Sequence, residues 1–291
     1  MKNKKNIMLI YILLFIEILI LINSNEIIKS VKSSSLMFIL KIFPSLFPTM
    51  VLGNLLIKNN IHLIIPGFIK KIFNKLFNFN ETITGLFVIT MLTGTPSNAI
   101  YINEYLNKNL ITEKHAESLL CITHFINPLF VVGGVGIGVF NNVKIGFLLL
   151  LILWINNFIK AYINRKNFKN SCKKNNTINQ ENFVKSLTDS IKCSISSLLM
   201  IFGIVTTFNI LVTLISNIFH FSILTNCIIN GALEMTGGII KLSNININIF
   251  IKFLLSYLLL NFGGICIHMQ TLSMINNKKI RYFKYLIFRL F

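Results

Sequence analysis

The run TGTPSNAIYINEYLNKNLITEKHAESLLCITHFINPLFVVGGVGIGVF, Thr93 to Phe140, decides the fold. Two breaks interrupt it, Gly94-Thr95-Pro96 near its start and Asn127-Pro128 further on, and a cluster of glycines follows the second. Proline removes a backbone donor and glycine admits conformations other residues resist, so a helix here stops and restarts. In hydrocarbon every backbone polar group needs a partner from the protein. Broken backbone at membrane depth is therefore tolerated only where it is buried in protein or lines a polar cavity.

That the run lies at membrane depth follows from the rest of the chain. Of 291 residues, 54% are hydrophobic and 13% charged, with a mean hydropathy of +0.70, whereas a soluble domain carries roughly a quarter charged residues. The polar stretches are too short for a soluble catalytic domain. The fold class expected is an all-α, polytopic membrane protein with broken or re-entrant helices.

Apolar stretches run from about Leu36 to Ile57, Thr82 to Tyr105, Ser118 to Phe140, Ile145 to Ile163, Ser194 to Ile215, Ile223 to Ile240 and Ile247 to Ile275. Met1 to Asn23 precedes them, with Lys2, Lys4 and Lys5 ahead of a long apolar run and no small-residue cleavage site, and reads as an uncleaved first span. Glu17 within it is expected to face protein or reach outward. Pro44 and Pro48 modulate the first of the later stretches, while Thr236-Gly237-Gly238 and Phe262-Gly263-Gly264 break two in the second half. IPGFIKKIFNKLFNF (Ile65–Phe79) and the tail from Lys278 to Phe291 alternate apolar residues with Lys, Arg and Asn at helical spacing, which predicts helices lying in the interface.

The charge balance, 28 Lys+Arg against 9 Asp+Glu, would suggest nucleic acid in a soluble protein. Here the basic residues flank apolar runs, so lipid rather than nucleic acid is the expected partner. The N-terminus, the loop from Lys160 to Lys185 and the tail are then cytoplasmic, in a multi-pass protein of the cell membrane. An even number of crossings must separate them, and the stretches expected not to span are proline-rich Leu36 to Ile57 and short Ile223 to Ile240. This places Lys70, Lys71 and Lys75 outside, against the charge rule.

The unit starting near Ser35 then begins outside and the one starting near Phe183 begins inside, the arrangement of inverted-topology repeats in many secondary transporters. The organisation read is a first span at 1–34, one repeat at 35–163, a polar basic loop at 164–182, and a second repeat at 183–291 with an amphipathic C-terminal helix.

Five cysteines, Cys121, Cys172, Cys193, Cys227 and Cys266, form no C-x-x-C pair, so neither a zinc site nor a disulfide framework is expected. No nucleophile with its base, paired carboxylates, H-E-x-x-H or P-loop is present, and catalysis is not expected. No cofactor or metal is expected either. The glycines of GGVGIGVF suit close helix packing.

The central run resembles the signature of the YlbJ family of sporulation integral membrane proteins, within the broader nucleoside-recognition, or Gate, domain group. Gly94, Pro96, Ala99, Lys108, Leu110, Ile111, Ala116, Pro128 and Phe130 stand at that signature's places. Phe43 to Leu56, Leu233 to Gly238 and Asn261 to Ser273 resemble the family in the same order. Asn98 departs from it, standing where the family turn usually has a second glycine. The resemblance implies a role in endospore formation and, through the Gate group's kinship with concentrative nucleoside carriers and the ferrous-iron permease FeoB, transport. It names no substrate.

The candidate solute-binding residues are those at the breaks. Gly94 and Pro96 open one break, and Ser97 and Asn98 sit where a restarted helix needs a cap, so they either cap it or hold a polar or anionic solute. Glu234, an acid in the apolar run before Thr236 and Gly237, is expected to face the interior as a solute, ion or proton contact or as a helix cap. Asn127, Gly263, Gly264, His268 and Gln270 complete the set. His124 near the second break is read as an interior hydrogen-bonding residue. Two functions stay open: a small polar or anionic solute, with a coupling ion, moved through a site between broken helices, or a non-transporting scaffold of the spore membrane. The sequence fixes no oligomeric state.

Overall fold

A computed structural model describes residues 2–169, 182–219, 221–275 and 280–290. Most of the expected basic loop, Cys172, and Lys278 and Lys279 of the tail lie outside the described residues. Those described form helices and no strand. Four helical runs are long and apolar enough to cross a membrane: Ser24–Lys58, Val143–Phe168, Phe183–Ile218 and Ile249–Ser273.

The first helix, α1 (Lys2–Ile22), is followed by α2 (Ser24–Met37), a π-helical turn at Phe38–Ile42, and α3 (Phe43–Lys58). Helix α2, the π turn and α3 form one 35-residue run, Ser24–Lys58. Leu36 to Ile57, expected not to span, thus lies within a continuous helical run long and apolar enough to cross a membrane. Pro44 falls in the first turn of α3, and Pro48 lies inside it, while the π turn just before them lets the helix absorb the missing donors without ending. The unit boundary expected between 34 and 35 falls inside α2.

The segment that folds back is the next one. Helix α4 (Gly67–Phe77) is followed by α5 (Glu81–Thr93) and α6 (Ser97–Asn107). One residue, His62, fixes how α5 and α6 lie. Its Nδ1 is 3.3 Å from the Tyr105 hydroxyl on α6, and a Cβ added at Gly85 on α5 would fall 2.6 Å from the His62 Cβ. Twenty residues of continuous helix would separate those points by about 30 Å. Helices α5 and α6 are therefore a hairpin, its tip at Gly94–Pro96.

Helix α7 (Glu113–Ile122) then breaks, and a π-helical stretch (Phe130–Ile137) with the short α8 (Gly138–Phe140) continues it before α9 (Val143–Asn164) returns. The glycine cluster serves packing, since a Cβ at Gly136 would meet the Gly146 backbone of α9. The 36-residue α10 (Phe183–Ile218) is about 54 Å long. After it, α11 (Ile223–Leu233) and α12 (Met235–Ser243) form a second hairpin with Glu234 at its tip. Cys227 Sγ lies 3.2 Å from the Gly238 carbonyl, and Gly231 and Gly238 pack backbone to backbone, leaving no room for a Cβ. Helices α13 (Ile249–Phe262) and α14 (Gly264–Ser273), broken at Gly263, lead to α15 (Tyr282–Leu290).

The contacts sort the ends of these elements to two faces. At one, Lys58 meets Asp189 at 3.8 Å, Asn78 donates to the Arg165 carbonyl at 3.2 Å, and Arg281 N donates to Glu117 at 2.9 Å. At the other, Asn217 reaches Asn23 at 3.2 Å, Ser216 reaches Asn226 at 3.0 Å, and Lys252 reaches the Ser243 carbonyl at 3.3 Å. The first hairpin thus has its base at the first face, with Lys70, Lys71 and Lys75, and the second has its base at the opposite face. The second half repeats the order of the first with the sense reversed: long helix, hairpin, broken helix. Helix α15 is not a plain interfacial anchor, because Tyr285 and Arg289 are buried and it packs on α7.

Candidate functional site

The two hairpin tips meet in the interior, and a cavity of about 50 Å³ lies between them. One water needs roughly 10–15 Å³, so the space holds a few waters or a small ion, whereas pockets for drug-sized ligands run to several hundred Å³. Thr95 and Pro96 from the first tip line it, with Glu234, Met235 and Thr236 from the second. Asn127 from the break after α7, Gln270 from α14 and Ser45 from α3 contribute polar groups, and Ile42, Leu46, Ile126, Phe130, Ile201, Val205 and Ile267 the apolar wall.

Each tip is built by its own sequence. In the first, Gly94 adopts φ +79°, a left-handed region that favours glycine, and a Cβ there would strike the Asn127 backbone. The Thr95–Pro96 bond is cis. Thr95 N donates to the Phe125 carbonyl at 2.7 Å, which sews the tip to the neighbouring break. Asn127 is the other stitch. Its Nδ2 donates to Thr49 Oγ1 at 3.0 Å and to the Thr93 carbonyl at 3.1 Å, while its Oδ1 accepts from Leu129 N at 2.9 Å and Phe130 N at 3.2 Å. It caps the restarted helix and ties it to the tip at once.

In the second tip Glu234, 2% exposed, turns its carboxylate back on its own helix. Oε1 accepts from Thr236 N at 3.0 Å and Oε2 from Gly237 N. A carboxylate at a helix N-terminus is favoured both by the free N–H groups and by the helix dipole. Asn209 of α10 lies beside Gly237 and donates to Ser34 Oγ at 2.9 Å. The Thr95 hydroxyl, by contrast, is buried with no protein partner.

Of the residues read from the sequence, Pro96, Asn127, Glu234, Thr236 and Gln270 line the cavity, and Gly94 and Gly237 shape the tips that carry them. Gly264 (φ +73°) packs against the second tip, near Met235 N. Gly263 (φ +85°) instead faces His124. Ser97 and Asn98 are buried behind the first tip, where Asn98 Nδ2 donates to Thr123 Oγ1 at 3.1 Å. His268 stands apart from the cavity, held at Nε2 by the Phe262 carbonyl (3.0 Å) and at Nδ1 by the Tyr282 hydroxyl (2.7 Å). Sequence reading missed Ser45, Thr49 and Thr95. The pair Ser45 and Thr49, one turn apart on α3, carried the signal, as hydroxyls in an otherwise apolar proline-bearing stretch.

No protein-family model matches the chain, and no solved structure matches it. It is similar to the sporulation integral membrane protein YlbJ of Bacillus subtilis (strain 168), with 23% identity over 287 aligned residues that cover 86% of this chain and 70% of that protein. The similarity to that sporulation membrane protein thus extends over most of the chain and not only the central run.

Proposed function

We propose that this chain is a multi-pass protein of the cell membrane of a spore-forming bacterium that binds a small polar or anionic solute, with or without a coupling ion, between its two hairpin tips and moves it across the bilayer. The observation that carries this reading is the meeting of two hairpins from opposite faces around a cavity lined by Thr95, Asn127, Glu234 and Gln270. Such a pair gives each face its own tip to open, the physical requirement for alternating access. Lys70, Lys71, Lys75, Lys108, Lys114, Arg165 and Lys166 sit at one face, so we assign that face, and both termini, to the cytoplasm. Six crossings follow: α1, α2 with α3, α7 with α8, α9, α10, and α13 with α14. The link to sporulation comes from the relative's name.

At about 50 Å³ the cavity represents a closed state, and a nucleoside-sized solute requires a tip to withdraw. The scaffold reading is favoured by one observation, that both carboxylate oxygens of Glu234 are already engaged by the backbone. Thermal unfolding of the purified protein in detergent separates the two. The probes are nucleosides, inorganic phosphate, dicarboxylates, amino acids and divalent metals, against wild type, Gln270→Leu and Glu234→Gln. Transport predicts that one class raises the Tm of wild type and not of the variants, since a ligand of the native state stabilises it. A panel with no shift supports the scaffold.

A further inference from the structure

The cavity between the tips comes closest to the surface at one place. Every residue that lines it is buried except Ser45 of α3, which is partly exposed. One turn before Ser45, on the same face of the helix, stands Lys41, whose side chain is exposed and whose carbonyl accepts from Ser45 Oγ at 2.9 Å. One turn after it stands Thr49, also partly exposed, whose Oγ1 accepts from Asn127 Nδ2 at 3.0 Å. Lys41, Ser45 and Thr49 thus form a polar stripe that runs along α3 past the cavity to the break beside the first tip.

The stripe is unlike the surface around it. Ile39, Leu40 and Phe43 are exposed and apolar, as a lipid-facing surface requires, and an ionisable residue within such a stretch is held where it meets water, a partner or a solute path. The apolar run begins at Leu36, so Cα of Lys41 lies about 8 Å below the outer end of that run. Helical side chains lean towards the N-terminus of their helix, which for α3 is the outer direction. The ammonium therefore stands just outside Ser45, across the approach to the cavity from the outer face. Glu234, the charge on the cavity wall, is engaged by the N–H groups of its own helix.

We propose that the outer entrance to the cavity lies along α3 at Ser45, and that Lys41 makes this entrance selective for anions, so that the solute is a small anion. The proposal rests on the reading of the cavity as a solute site and narrows it to one charge class. A single cation beside a cleft with apolar walls concentrates anions at its mouth and turns cations away. Lys41 acts on the approach of the solute, as a specificity-determining residue, while the polar groups of the two tips receive it.

The test needs no knowledge of the solute. Ser45→Cys is placed in the full chain lacking its native cysteines and treated in intact cells with two impermeant thiol reagents of opposite charge, sulfonatoethyl and trimethylammonioethyl methanethiosulfonate. Ser222→Cys, at the outer foot of the second hairpin, gives the reference ratio of the two rates. At Ser45→Cys the ratio is expected to favour the sulfonate by roughly fivefold more than at the reference, the effect of one charge about 8 Å away in water on reagents of opposite sign. Lys41→Gln is expected to abolish that preference and Lys41→Arg to keep it. No reaction at Ser45→Cys while Ser222→Cys labels, no preference with Lys41 in place, or a preference that survives Lys41→Gln overturns the proposal. A second measurement leaves Ser45 intact: the Tm rise given by inorganic phosphate or a dicarboxylate is expected to need severalfold more probe in Lys41→Gln than in wild type or Lys41→Arg. Stabilisation by nucleosides or divalent metals alone would overturn the anion selectivity and keep the cavity as a solute site, whereas charge-selective labelling with no stabilising probe would keep the entrance and remove support from transport.

Discussion

The two hairpins perform the same manoeuvre by different chemistry. The tip between α5 and α6 is held from outside: Thr95 N is bonded to Phe125, Asn127 reaches the Thr93 carbonyl, and Asn98 reaches Thr123. The tip between α11 and α12 is held from within, by Glu234 on its own backbone and by the Gly231 and Gly238 contact between its arms. The first is part of the frame. The second is a self-contained wedge whose withdrawal breaks few bonds to its surroundings, and it is the tip expected to move.

The contrast can be broken most severely at Gly238. A valine there puts a Cβ into the Gly231 backbone, which has no side chain to shift aside, so the cost lies at the upper end of overpacking, about 3 kcal/mol or more. The expected outcome is loss of monodisperse protein in size-exclusion chromatography. Asn127→Ala comes next, because it removes a cap and two donor bonds in a buried site, about 2–3 kcal/mol. Its Tm is expected to fall well below wild type, with Asn127→Asp intermediate because it keeps the cap.

Glu234→Gln is milder, about 1–2 kcal/mol, since one acceptor survives and an amide N–H faces Gly237 N. If the second tip is the mobile one, hydrogen exchange of α11 and α12 rises in this variant while that of α5 and α6 does not. Equal loosening of both would erase the distinction. Gly203→Ala is expected to change Tm least, within about 0.5 kcal/mol, because a Cβ there meets nothing within 4 Å.

Much of this was legible because Gly, Pro and a lone acid punctuate apolar text. The breaks at Gly94–Pro96, Asn127–Pro128 and Gly263 lie where the sequence places them, the one read at Thr236–Gly238 falls instead at Glu234 with those three residues inside α12, and α4 sits where its amphipathic spacing puts it. Which stretch folds back was not legible. Pro44 and Pro48 look like stronger breakers than Gly94 and Pro96, yet the π turn at Phe38–Ile42 absorbs the former, and periodicity carries no sign of a π turn. The basic residues of α4 were the better guide, since folding back α5 and α6 moves them to the basic face. Glu234 was legible as a helix cap, though pointed at a facing half-helix rather than at its own, and the burial of Lys160 and Arg289 could not be read from their basic, helical surroundings.

The opposed entry of the hairpins is tested most directly by thiol labelling in intact cells with a membrane-impermeant reagent, in a background lacking the native cysteines. Ser222→Cys and Asn244→Cys, at the two feet of the second hairpin, are both expected to label from outside. Lys108→Cys and Asn78→Cys, at the feet of the first, are expected to label only after the membrane is opened. Labelling of Ser222→Cys and Asn244→Cys from opposite sides would mean that α11 and α12 span the bilayer, and the account of two tips meeting around a solute would be wrong.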